Sequence, residues 1–152
     1  MQKQTTKGQG RVPPEITTLL LDTHIAVWLA SGSSRLKSST LALVEDCFHR
    51  GTLCLSPISA WEIGLLVSKG KLELGQPPLV WFEGFVQKFC PQIIDISPEI
   101  AISSSNLPGT FHGDPADRIL VATAIACSTA ILTADNNMAA YGQQGFVRIV
   151  AC

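Results

Sequence analysis

Five carboxylates hold the chemical interest of this chain. Asp22 closes the apolar run "LLLD", Asp135 closes "ILTAD", Glu62 stands inside "ISAWEIGLL", and Asp114 and Asp117 flank Pro115 and Ala116 in "GDPADR". Gathered at one place they would repel one another strongly. A hard divalent cation, magnesium or manganese, relieves that repulsion because it prefers carboxylate and water oxygens. Such a site suits phosphodiester hydrolysis, since the ion neutralises charge on phosphate oxygens and makes hydroxide available near neutral pH. Taken singly, the acids have plainer uses. Asp22 and Asp135 each precede a helix and read first as N-caps, and one of Asp114 and Asp117 caps the helix they open. Glu62 fits an exposed helix face as well as it fits the border of a buried one, where it would need a partner.

The elements around these acids decide which use applies. Short β-branched or leucine-rich runs alternate with helix-length amphipathic segments, the pattern of a parallel sheet with crossover helices. Strands are expected at Ile16–Leu21, Thr52–Ser56, Ile93–Ser97, Ala130–Ala134 and Phe146–Val150. The first runs on apolar without alternation, as a central strand covered on both faces does. Helices are expected at His24–Ala30, Ser38–His49, from Pro57 to about Gly70, from Pro78 to about Cys90, at Pro98–Asn106, over the segment "DPADRILVATAIACSTA" and at Asn136–Tyr141, the third opened by Pro and closed by Gly. Sites in open parallel sheets form at the carboxyl ends of strands, and Asp22 and Asp135 each follow a strand.

Composition bounds the rest. A chain of 152 residues, 46% of them hydrophobic, has material for one compact domain, expected over residues 16–152 behind a loose polar tail at residues 1–15. Eleven Lys and Arg against twelve Asp and Glu leave a net charge of −1, so a polyanion must be held locally or through a metal ion. The five cysteines are odd in number and lack a CxxC pair. That excludes a disulfide framework or zinc site as the first reading and favours a reducing cytoplasm, with the thiols as small buried hydrophobes. No membrane span or signal-peptide core is evident, so neither membrane insertion nor export is expected.

In order and spacing, "LLLDTHIAVWLA", "SPISAWEIGLLVSKGKLEL", "HGDPADRILVATA" and "ILTAD" resemble a PIN domain, specifically the VapC-like toxin ribonucleases of toxin–antitoxin pairs. The resemblance covers about Thr17 to Val150. It implies a three-layer α/β/α sandwich around a parallel sheet of about five strands, and a metal-dependent endoribonuclease, using Mg2+ or Mn2+, that inhibits translation and growth. The family's four acids fall on Asp22, Glu62, Asp117 and Asp135, and Asp114 matches a frequent extra acid of the metal site. Thr23 and Thr133 match small hydroxyl positions that orient a ligand or water. A large aromatic residue is frequent where Ala116 stands here. The implied partners are the RNA substrate, a cognate antitoxin that blocks the site, and a second copy of the chain.

Other residues divide between structure and chemistry. His112 reads as ordering its loop through a hydrogen bond, and Arg118 as pairing with a neighbouring acid. Lys69 and Lys71 suit the negative end of the Glu62 helix. Trp28, Trp61 and Trp81 read as core or interface packing before base stacking. The helix "PPLVWFEGFVQKF" is more apolar than one buried stripe requires, which points to contact with another chain. Competing functions are a PIN nuclease of RNA maturation without an antitoxin, and a catalytically silent interaction module. A phosphotransfer receiver would need a Lys after the last strand, and "FVRIV" is followed by none.

Overall fold

The computed structural model describes residues 15–152. Strand β1 (Leu19–Leu21) is the middle of a five-stranded, all-parallel sheet in which it lies between β2 (Leu53–Leu55) and β4 (Ala130–Thr133). The edges are β3 (Gln92–Ile93), beside β2, and β5 (Ile149–Ala151), beside β4. The chain therefore builds outward from β1 to one edge and returns to fill the other side. This order places a topological switch between β1 and β4, where flanking helices diverge and a crevice opens at the carboxyl ends.

Side chains alternate across the sheet. Leu19 and Leu21 pack with Leu53, Leu55 and Leu132 under helices α1 (Thr23–Ser31), α2 (Ser38–Arg50), α3 (Pro57–Ser68) and α4 (Pro78–Phe89). Leu20 and Ile131 face the opposite layer, formed by α6 (Pro115–Cys127) and α7 (Asn136–Gly142). Every residue of β1 is fully buried, the reason its sequence shows no alternation. The remaining helix, α5 (Pro98–Ser105), packs against α6. The α/β/α sandwich and five parallel strands agree with the sequence reading.

All five strands are shorter than expected, and β1, β3 and β5 depart most. Ile16 and Thr17 do not extend β1, because their carbonyls accept from the Arg50 guanidinium at 2.8 and 3.2 Å instead of from a neighbouring strand. The third strand is limited to Gln92–Ile93; Ser97 turns away to cap α5, its hydroxyl accepting from the Ile100 amide at 3.1 Å. The fifth begins at Ile149, since Val147 is drawn into the core of the α6–α7 layer just before it. The expected tail lies, up to residue 14, outside the described residues. Among the described residues, no helix is long and apolar enough to cross a membrane.

Candidate active site

The end of β1 is where the chain first meets its unusual carboxylate. Asp22 still belongs to the ladder through its amide, which donates to Leu132 O at 3.0 Å, and its φ and ψ of −65° and 151° are those of the N-cap of α1. It is only 5% exposed. Both oxygens are occupied: Oδ1 accepts from the Thr23 amide at 2.7 Å and Oδ2 from the Thr133 hydroxyl at 2.6 Å. Burial pushes its pKa up, and these two hydrogen bonds pull it partly back.

Thr133 joins the two strand ends at the switch point. Its hydroxyl donates to Asp22 and accepts from the Asp135 amide at 2.9 Å, while Asp135 Oδ1 caps α7 by accepting from the Met138 amide at 2.9 Å. Asp114 is likewise a cap, its Oδ1 accepting from the Asp117 amide at 2.9 Å at the start of α6. The capping reading therefore holds for three of these acids, yet all three line a single cleft of about 240 Å³ together with Glu62 and Asp117. Capping fixes their orientation without withdrawing them from the cleft.

Glu62 and Asp117 are the two acids that capping does not explain. Oε1 of Glu62 is buried with no hydrogen-bond partner among the described residues. Burial raises the pKa of this carboxyl; the neighbouring Thr23 hydroxyl opposes the shift, although its one proton goes to Ser59 Oγ at 2.9 Å. One ligand oxygen each from Glu62, Asp114 and Asp117 lies within 4.8 Å of the others. Asp117 is pushed up to about 8, first by burial and then by the charges of Asp114, Asp22, Asp135 and Glu62. Among the described residues the ion pairs join Glu45 to His49 and Asp46 to Arg50 on α2, and no Lys or Arg neutralises the cleft.

A set of oxygen donors that is half-buried, mutually repelling and short of cations is what a hard divalent ion fits. The PIN domain family model matches residues 19–143, a span that contains all five acids. The chain belongs to the PIN domain family. It is 32% identical over 123 residues to "Ribonuclease VapC22" of Mycobacterium tuberculosis, a match that covers 81% of this chain and 91% of the relative. The fold resembles VapBC2 from Rickettsia felis bound to a promoter DNA fragment, with a TM-score of 0.65 at 18% identity, over 89% of this chain and 98% of the other. It also resembles FitAcB from Neisseria gonorrhoeae, with a TM-score of 0.60 at 18% identity, over 87% and 96% of the two chains.

In this PIN domain several residues depart from their expected roles. Arg118 does not pair with an acid. Its guanidinium donates to Ser104 O at 2.7 Å and Phe111 O at 2.9 Å, because the carbonyls ending α5 and the loop before α6 have no helical donors left. His112 is exposed and makes no hydrogen bond among the described residues; Arg118 orders that loop instead. Asp95 lies in the loop after β3, not within a strand. Trp81 is in the core, as expected, but Trp28 lines the acidic cleft beside His24, with Arg35 over its ring at 5.2 Å.

One positioning residue escaped sequence reasoning. A Cβ at Gly113 would land on the Phe111 ring and on Asp117 Cβ, so only glycine lets this loop lie against the first turn of α6. Its single signal in the sequence is its place immediately before "DPADR".

Proposed function

We propose that this PIN domain is an endoribonuclease dependent on a divalent cation, Mg2+ or Mn2+, and that it is the toxin of a toxin–antitoxin pair. The observation that carries the reading is the unpartnered, buried Oε1 of Glu62 beside Asp114 and Asp117 within 4.8 Å. Support comes also from the relative being named a ribonuclease, and from fold neighbours that include VapBC2, FitAcB and a toxin–antitoxin complex from Klebsiella pneumoniae.

Glu62, Asp114 and Asp117 would hold the cation, with Asp22 and Asp135 completing the acid set. Such an ion supplies charge neutralisation at the scissile phosphate and an activated water at neutral pH. The protein's own contribution is preorganisation. Asp22 is fixed by two donors before any ligand arrives, so it does not have to reorient during the reaction. Thr133 holds the Asp135 turn in register with Asp22, and the caps of α6 and α7 hold Asp114 and Asp135.

The substrate is RNA, the regulating partner a small antitoxin and the setting the cytoplasm, with residues 16–152 forming the single nuclease domain. A second copy of the chain is the proposed neighbour of α4, whose start leaves Leu79 67% and Val80 50% exposed. Cleavage of total RNA by the purified protein with Mg2+ or Mn2+, against EDTA and against Asp22→Asn of matching stability, tests the reading. Metal-dependent cutting that the variant loses is the expected result. A folded, antitoxin-free protein that cuts no RNA with either metal would overturn it.

A further inference from the structure

Beside the acidic cleft runs a second depression, of about 290 Å³, that shares Glu62 and Asp114 with it. Its floor is apolar, made by Trp61, Leu65 and Leu66 of α3, and its far rim is formed by Lys69 and Lys71. Trp61 is 51% exposed, unlike the buried Trp81. Trp61 and Leu65 stand four residues apart on α3 and Lys69, four further on, is its C-cap, so the three follow one face. At 1.5 Å per residue they span about 12 Å.

Both lysines are exposed, and among the described residues neither ammonium group is in an ion pair or a side-chain hydrogen bond. Their charges are thus not used within the described fold. The groove therefore has one end lined by the carboxylates of Glu62 and Asp114, an aromatic face in the middle, and two free ammonium groups at the other end.

We propose that this groove is the path by which single-stranded RNA reaches the acid cleft, one base stacking on Trp61 and successive backbone phosphates meeting Lys69 and Lys71. The inference rests on the ribonuclease reading above. An aromatic face accepts any base, and lysines track a backbone without reading sequence, so the path contributes affinity and strand type but not a base code. A duplex keeps its base faces stacked inside and offers Trp61 nothing, which makes the path selective for unpaired segments. With a net charge of −1 the protein has no overall field to gather RNA, so local cations next to the cleft must do it.

The test is steady-state cleavage of a labelled single-stranded oligoribonucleotide by the full-length protein with Mg2+ or Mn2+, from about 50 to 200 mM salt, with light scattering on each variant. Trp61→Ala is expected to raise KM about tenfold, consistent with loss of one base stack, and Trp61→Phe to restore most of it. Lys69→Ala with Lys71→Ala is expected to flatten the dependence of log KM on log salt by about 1.4, at about 0.7 per phosphate contact on a single strand. Both losses fall on KM more than on kcat.

Wild-type cleavage with unchanged KM and salt slope in these variants overturns the path alone. So does a Trp61→Ala variant that turns a dimer into a monomer while the lysine variants keep the wild-type slope, since the groove is then the seat of a second copy. Absence of cleavage and of RNA binding by the wild type overturns the ribonuclease reading, and the path with it.

Discussion

Replacing Asp117 by Asn stabilises the cation-free protein at alkaline pH, a consequence opposite to that of most substitutions. In the fold the Asp117 carboxyl titrates at about 8 against 3.8 for a free one, because burial and four neighbouring carboxylates disfavour its charge. Below about pH 4 the group is neutral in both the folded and the unfolded chain and costs nothing. Between about 4 and 8 the unfolded chain has released this proton while the folded one retains it, so stability falls as pH rises, and above about 8 the loss is complete. At 1.36 kcal/mol per pH unit the full difference would be about 6 kcal/mol. Water reaches this half-buried side chain and screens the charges around it, which leaves about 1–2 kcal/mol. For a chain of this size that corresponds to about 3–6 °C in Tm. Burial moves Asp22 and Glu62 in the same direction, so Asn at 117 reduces the pH dependence without abolishing it. Thermal unfolding in EDTA at pH 5.5 and 8.5 is the assay, with Mg2+ or Mn2+ added in a second series. The wild type should lose Tm between the two pH values and recover it on adding the cation, whereas Asp117→Asn should lose less and respond weakly. A variant less stable than the wild type at pH 8.5 in EDTA, or one with the wild-type pH slope, would refute the reasoning.

Two further outcomes follow from the packing around the cleft. Thr133→Val removes the donor to Asp22 Oδ2 and the acceptor of the Asp135 amide. It should cost about 1–3 kcal/mol in urea unfolding and lower cleavage, while Thr133→Ser stays near wild type; equal urea midpoints for Val and Ser would show the bridge to be unimportant. Gly113→Ala forces a methyl against the Phe111 ring and Asp117. The overpacking should cost about 1–3 kcal/mol and weaken Mn2+ binding in calorimetric titration, and unaltered Mn2+ affinity would show that the loop does not position Asp117.

Much of this architecture is legible in the order of the residues. An unbroken "LLL" can be satisfied only by cover on both faces, and β1 is fully buried. Pro57, Pro98 and Pro115 mark helix starts that α3, α5 and α6 observe. The strand-end acids were visible because a carboxylate after a buried strand is conspicuous whatever its use. What local pattern could not show depends on partners far along the chain. Arg118 sits among acids in the sequence, yet its nearest acceptors in space are the carbonyls of Ser104 and Phe111. Edge strands are trimmed by competing bonds, as when Ser97 caps a helix instead of extending β3. Trp61 stands in a run rich in apolar residues, and only the packing of α3 in the fold decides that its ring is half exposed beside the cleft.

The hydroxyl of Thr133 closes on Asp22 across 111 positions of chain. A contact of such span cannot form while the polypeptide is still short, and β4 must slot in beside a β1 that has been waiting since early in synthesis. A ribosome making this protein therefore holds a chain without its acid cleft until the segment through Thr133 and Asp135 has emerged. For a protein proposed to attack RNA, the order of its strands keeps the acids at the ends of β1 and β4 apart until β4 joins the sheet.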